Sequence, residues 1–434
     1  MSPTAAGLVG MAALLVLLAL RMPIGIAMSL VGAIGIGVLN SPHAALHSLG
    51  SFPFSHAAAK LPMRTNSGIT AKACAAASGM GRDLYAAAHA AIGHRRGGLA
   101  SATIMACAGF AALSGSSVAS AVTMGRVCLP EMRRYQYDPR LATGVIAAGG
   151  TLGILIPPST VLVVYALLTE QSIGRLFLAG FLPGVLLTAL FVLTVMLMCA
   201  LRPQLGPPGE RLPARERLSA FGGAASFLAV VIITIGGIYA GVFTVTEAAG
   251  VGAMLTMAHA LWRRRLSTPV LVDALLQTVR TTAMVFLILI GAHLFTPFLA
   301  LSRIPVDLAN LLVGMDLSAV AILGILLAAF LVLGMFLEGF AMMVLMVPIV
   351  FPIVTAAGIN PIWFGIFMVI VLEMGLISPP VGINVFVVKG VAEDVPMRAI
   401  FAGILPFWLA MVLCIVALMA FPQIALFLPD SMIR

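Results

Sequence analysis

Apolar runs alternate along the chain with short polar or arginine-bearing stretches, and the run lengths predict an all-α protein that crosses a membrane repeatedly. Leu8–Leu20 and Ile24–Leu39 are separated only by Arg21-Met22-Pro23, so they are either two segments or one kinked span. Leu176–Leu201, Phe221–Tyr239, Thr246–Trp262, Met284–Leu299 and Ile400–Phe421 read as spans. Ala100–Leu113 and Val118–Leu129 fall well short of the about 20 residues a span needs. They flank Ser114-Gly115-Ser116-Ser117 and predict a re-entrant hairpin. Ala319–Leu337 and Phe340–Val354 predict a second one around Glu338-Gly339. A helix broken midway follows each hairpin, over 141–168 and 362–391. Asp83–His94, closed by His94-Arg95-Arg96-Gly97-Gly98, and Val270–Arg280 read as surface arms.

The two broken helices are related. Residues 149–159 read GGTLGILIPPS and residues 373–382 read EMGLISPPVG. The offset that takes Pro158 to Pro380 also takes Pro157 to Pro379, Gly153 to Gly375, Pro139 to Pro361 and Pro130 to Pro352. One residue of slippage later, Ala179–Pro183 meets Ala402–Pro406. Gly/Pro-interrupted apolar segments at corresponding positions of two halves point to a transporter's binding site. The expected organisation is an N-terminal scaffold (1–82), a first repeat (83–201), a loop with scaffold spans and an arm (202–280), and a second repeat (281–434).

Composition agrees. The chain is 61% hydrophobic and 9% charged, with a mean hydropathy of +1.13, whereas a soluble domain carries about 25% charged residues. The formal charge of +9 does not indicate nucleic acid, because the arginines sit in short clusters between apolar runs. Such clusters mark cytoplasmic loops. Placing Arg202–Arg217 and Arg263–Arg280 inside also puts Arg133, Arg134 and Arg140 inside. The first hairpin then enters from the cytoplasm and the second from the periplasm, so the repeats are inverted. The five cysteines form no CxxC and read as packing residues. No basic region precedes the first apolar run, which is expected to be a retained membrane segment rather than a signal peptide. Residues 54–75 are atypical. Lys60, Arg64 and Lys72 lie within 13 residues, and each would cost about 2.5–3.5 kcal/mol at the bilayer centre. The stretch is expected to slip toward an interface.

A re-entrant tip facing a broken helix supplies unwound carbonyls for a cation and half-helix N-termini for a carboxylate. Ser114, Gly115, Ser116 and Ser117 with Gly149, Gly150, Thr151 and Gly153 make one expected cation site. Glu338 and Gly339 with Gly375 and Ser378 make its inverted mate. Hard oxygen donors without thiol or imidazole clusters suit an alkali ion. Glu338 either belongs to that site or caps its hairpin at a water surface. Glu373 reads as ordering its broken helix more than touching substrate. His293 reads as a packed, hydrogen-bonded histidine.

Seven stretches carry a family resemblance: GHRRGGLA (93–100), SGSSVAS (114–120), LPEM (129–132), GGTLGILIPPS (149–159), SIGRLFLAGFLPG (172–184), GIYAGVFTVTEAAG (237–250) and EMGLISPPVGINVFVV (373–388). Together they resemble the large membrane subunit (DctM-like) of tripartite ATP-independent periplasmic (TRAP) transporters. The resemblance implies an elevator-type transporter of the bacterial inner membrane that takes up organic acids, commonly C4-dicarboxylates or sialic-acid-like sugars, with Na+ as coupling ion and no organic cofactor. It implies a small four-helix membrane subunit and a periplasmic substrate-binding protein as partners. The family's ion motifs extend the two sites to Pro157 and Pro379, and substrate is expected near Ser116, Ser159, Glu373 and Asn384. Residues 54–75 depart from the family's apolar helix. Three other readings stay open: a sodium/dicarboxylate symporter working without a binding protein, a transport-inactive assembly subunit, and a membrane-embedded enzyme. The last would need convergent His, Arg and Asp groups that the broken helices lack.

Overall fold

A computed structural model describes residues 2–20, 22–58, 80–263, 267–315 and 317–432, and these residues form helices and connecting turns with no strand. Among them, five helices are long and apolar enough to cross a membrane: Ile173–Leu201, Ala214–Tyr239, Leu271–Ser302, Gly339–Ala356 and Met397–Ala420. Pro3–Ala19 and Ile24–Leu39 are two separate helices. The first hairpin is Gly98–Ser114 and Ser117–Arg134, and the second is Ala319–Gly334 and Gly339–Ala356. The first broken helix is Pro139–Leu155 followed by Thr160–Thr169, bent by 40°. The second is Pro361–Leu376 followed by Ile383–Val391. Both breaks hold a cis Pro-Pro peptide, at 157–158 and 379–380.

Some elements differ from expectation. The arm and span expected at 270–280 and 284–299 are one continuous helix, Thr268–Ser302. The residues between them, Thr281 to Thr282-Ala283, hold no proline or glycine, so nothing stops the backbone ladder. The arginine- and proline-rich loop after Leu201, expected over 202–218, ends at 213, because a helix starts at Ala214. Helices Pro42–Ala58, Ile304–Gly314 and Gln423–Asp430 lie outside the apolar runs read as spans. Of the atypical stretch, 54–58 close the helix Pro42–Ala58, and 59–75, with Lys60, Arg64 and Lys72, lie outside the described residues.

The repeat reaches into the caps. Asp138 accepts from the Arg140 N–H at 2.7 Å, and Asn360, at the same offset, accepts from the Ile362 N–H at 2.9 Å. Ser116 and Glu338, again equivalent, are the N-caps of the second hairpin arms. The side chains of Asp138, Asn360 and Ser116 each satisfy a backbone donor that the helix itself cannot, whereas Glu338 makes no side-chain cap. Asn360→Ala is therefore expected to cost about 1 kcal/mol, read as a small drop in the heat stability of the purified protein, with Asn360→Asp close to wild type.

Contacts between the repeats show that they run in opposite directions. The Tyr165 hydroxyl, near the end of the first broken helix, donates to the Pro361 carbonyl at the start of the second (2.7 Å). Arg133, at the base of the first hairpin, pairs with Asp394 just after the second broken helix. Both of those side chains are at least half exposed, so the pair contributes little. Asp394→Ala is expected to change stability by less than about 0.5 kcal/mol, and a larger loss of heat stability would show that the pair is shielded from solvent.

A pair of helices packs beside the hairpins and broken helices. Ile24–Leu39 lies along Thr268–Ser302, and the seam is backbone on backbone. A Cβ on Gly25 would stand 2.4 Å from the Leu287 carbonyl oxygen, one on Gly32 2.5 Å from that of Leu294, and one on Gly291 2.5 Å from that of Gly25. Small residues at such spacing let helices approach where lipid supplies no hydrophobic drive between them.

Candidate functional site

Each hairpin packs on one half of each broken helix, and four helices start at the hairpin tips and at the breaks. The first hairpin covers Pro139–Leu155, and its second arm lies along Ile383–Val391. The second hairpin covers Pro361–Leu376, and its second arm lies along Thr160–Thr169. The N-caps of the four helices are Ser116, Ser159, Glu338 and Gly382.

At the first hairpin tip, Gly115 turns the chain with φ of 54°. This left-handed conformation suits glycine. Ser116 then caps the second arm, its hydroxyl accepting from the Ala119 N–H at 3.4 Å. The tip sits directly on the broken helix. A Cβ on Gly153 would lie 2.6 Å from the Ser116 carbonyl oxygen and 2.8 Å from the Ser120 hydroxyl, and one on Gly150 3.1 Å from the Ser117 carbonyl oxygen. A Cβ on Gly149 would instead meet Cys107 at 2.7 Å. The Thr151 hydroxyl donates to the Ala148 carbonyl at 2.6 Å, within its own helix. The structure thus brings Ser114–Ser117 together with Gly150 and Gly153, while Gly149 faces the hairpin's first arm. Pro157 is buried at the break.

The inverted counterpart is not a copy. Gly375 touches Gly334 at the end of the first arm, with its Cβ position 2.7 Å from the Gly334 Cα. Gly339 has only Leu376 near its Cβ position, at 3.7 Å. Glu338 is exposed and makes no side-chain cap. The Ser378 hydroxyl donates to the Met374 carbonyl at 2.6 Å and accepts from the Trp408 indole N–H at 3.0 Å. Pro379 and Pro380 are exposed, unlike Pro157.

Of the residues expected near substrate, Ser159 is buried and accepts from the Leu162 N–H at 3.4 Å. Glu373 is 1% exposed. The Ser117 hydroxyl faces it, but neither carboxyl oxygen has a hydrogen bond of normal geometry among the described residues. Asn384 is fully buried, and both its amide atoms lack a partner there. Buried polar atoms left unpaired are rare in native proteins and call for an explanation. The His293 ring nitrogen Nδ1 lies 2.9 Å from the Leu289 carbonyl, within its own helix and away from the tips.

Sequence reasoning missed several residues here. Ser120 pairs with Ser114 through hydroxyls 2.5 Å apart, and Thr160 donates to the Gly115 carbonyl at 3.2 Å, tying the tip to the break. Gly334 and Trp408 complete the second side. Ser120 and Thr160 belong to the polar runs at tip and break, so spacing could have suggested them. Nothing local marks Gly334 or Trp408.

Two re-entrant hairpins, two broken helices in opposite orientation and an apolar exterior define a polytopic membrane transporter. The fold is shared with the YdaH transporter of Alcanivorax borkumensis (TM-score 0.60, 13% identity, covering 88% of this chain and 90% of that one). It is also shared with MtrF of Neisseria gonorrhoeae (TM-score 0.55, 14% identity, 86% and 84%). The chain belongs to the family described as "Tripartite ATP-independent periplasmic transporter, DctM component", whose model matches residues 11–424. It is 37% identical over 353 residues to the C4-dicarboxylate TRAP transporter large permease protein DctM of Pseudomonas aeruginosa, covering 81% of this chain and 82% of that protein. It is 30% identical to the sialic acid TRAP transporter large permease protein SiaM of Vibrio cholerae, over 81% and 82%. An isethionate TRAP transporter permease protein, DctMQ of Oleidesulfovibrio alaskensis, matches at 34% over 73% of this chain and 50% of its own length. The chain is a multi-pass inner-membrane permease subunit, and these relatives are named as transport proteins rather than enzymes.

Proposed function

We propose that this permease takes up an organic acid, a C4-dicarboxylate or related carboxylate, by secondary transport coupled to Na+. A periplasmic binding protein delivers the acid, and a small membrane subunit works beside the chain. The observation that carries the reading is the contact between the first hairpin tip and the first break. Gly153 leaves room for carbonyl and hydroxyl oxygens of Ser116 and Ser120 to gather against an unwound helix end, a donor set that suits a hard monovalent cation. Among the described residues no three His, Cys, Asp or Glu side chains group as for a transition metal. The hairpins and broken helices move together as an elevator against the body formed by Ile24–Leu39 and Thr268–Ser302. The first hairpin tip and the first break stand assembled against each other, which favours an active permease over an inert assembly subunit.

The test is uptake of labelled succinate into proteoliposomes holding both membrane subunits, with the binding protein outside. Replacing Na+ by K+ is expected to lower the initial rate at least tenfold, and omitting the binding protein to lower it similarly. Uptake undiminished without Na+ would overturn the coupling. Uptake undiminished without the binding protein would favour a self-sufficient symporter.

A further inference from the structure

Resting on the organic-acid reading above, we propose that the substrate's carboxylate is anchored at one of the four N-termini only, the start of Ile383–Val391, with Asn384 as its side-chain donor. Each N-terminus presents backbone N–H groups that its own helix cannot satisfy, and the positive end of a helix dipole. They are not equally free. Ser116 and Ser159 fold their hydroxyls back onto their own helices, accepting from Ala119 and Leu162. At the third, Glu338 puts a carboxylate of the protein itself at the N-cap. The fourth begins at Gly382, which has φ of 59° and offers no side chain to cap anything. Two residues on stands Asn384, fully buried, with neither amide atom partnered among the described residues. An orphan donor in the first turn of an uncapped helix is what an anion would complete. The neighbouring Pro379, Pro380 and Phe386 are exposed, the last by 53%, so this helix start lies close to the molecular surface.

A second helix reinforces the site. Val391 lies 3.4 Å from the Cβ position of Gly125, and beyond it Asp394 reaches Arg133. The half-helix and the second hairpin arm therefore run side by side in the same direction. At about 1.5 Å per residue in both helices, stepping back from Val391 to Asn384 brings the paired arm from Gly125 to the level of Val118 and Ser117. Two positive helix ends thus stand together where Asn384 is. The equivalent pair, Gly339–Ala356 with Thr160–Thr169, already holds Glu338.

The test uses the complex of both membrane subunits in detergent, with heat stability as readout and sodium succinate, sodium isethionate and the sodium salt of a sialic acid as probes against sodium chloride. Wild type is expected to be stabilised by at least one of the three. With that acid, Asn384→Ala is expected to raise the half-saturating concentration at least tenfold and Asn384→Asp to abolish the response, while Gly50→Ala, whose Cβ position meets nothing within 4 Å, stays within threefold and Ser159→Ala loses less than Asn384→Ala. Stabilisation by sodium chloride alone, retained in Asn384→Ala, reports that the variant is folded. Asn384→Ser serves in the same comparison should the alanine variant not insert. A wild type indifferent to all three acids sinks the organic-acid reading and this anchor with it. A responsive wild type with an unchanged Asn384→Ala, or a larger loss in Ser159→Ala, sinks the anchor alone.

Discussion

Gly153→Val is expected to reduce uptake at least a hundredfold while the protein still inserts and purifies with its partner subunit. The first added carbon would stand 2.6 Å from the Ser116 carbonyl oxygen and 2.9 Å from its carbonyl carbon. Those are backbone atoms at a hairpin tip, and they cannot rotate aside as a side chain does. The tip must lift off the broken helix, and the carbonyl group that faces the break moves with it. Overpacking of this kind costs about 1–3 kcal/mol, too little to unfold the chain but enough to displace oxygens whose use as ligands depends on sub-ångström placement. Gly153→Ala should follow in the same direction with a smaller loss. Ser116→Ala, which removes the cap but leaves the carbonyl in place, should reduce uptake roughly fivefold, since a lost cap costs about 1 kcal/mol. Initial rates in proteoliposomes at several Na+ concentrations decide the matter. Full activity in Gly153→Val means the cage is elsewhere.

The second large effect is expected in stability rather than transport. Gly25→Leu should lower the midpoint of heat-induced aggregation by several degrees and reduce recovery of the purified protein. Every atom close to the new Cβ is backbone: Leu287 O at 2.4 Å, Leu287 C at 2.5 Å and Ile288 N at 2.8 Å. The two helices have to separate along a seam where Gly25 and Gly291 face each other and Gly32 repeats the contact two turns on. Separation forfeits dispersion contacts over several turns, and between apolar helices in lipid there is no hydrophobic gain to offset them. Gly50, whose Cβ position meets nothing within 4 Å, is the control, and Gly50→Ala should be silent. A Gly25→Leu variant as heat-stable as wild type would mean the seam is not held this tightly in the membrane.

Much of the architecture was legible in the chain because membrane helices are long, apolar and separately punctuated. Run length distinguished Leu176–Leu201 from the short arms at 100–113 and 118–129. The Pro-Pro pairs located both breaks, and one offset related Gly153 to Gly375. Arginine placement predicted opposite orientations, which the contacts of Tyr165 with Pro361 and Arg133 with Asp394 bear out. These are properties of single segments or of their order, so local composition determined them.

What the tertiary structure alone decided concerns which segments meet. That Gly375 rests on Gly334 rather than on Gly339 depends on how deeply the second hairpin inserts, and no residue in that hairpin encodes depth by itself. Above all, the sequence by itself determined that half-helix N-termini would be present. It could not tell the four apart. Whether an N-terminus is closed depends on which way a serine hydroxyl turns, and whether Asn384 is satisfied depends on neighbours far away in the chain. Both follow from packing, since a buried polar group keeps only the partners that the surrounding helices bring to it.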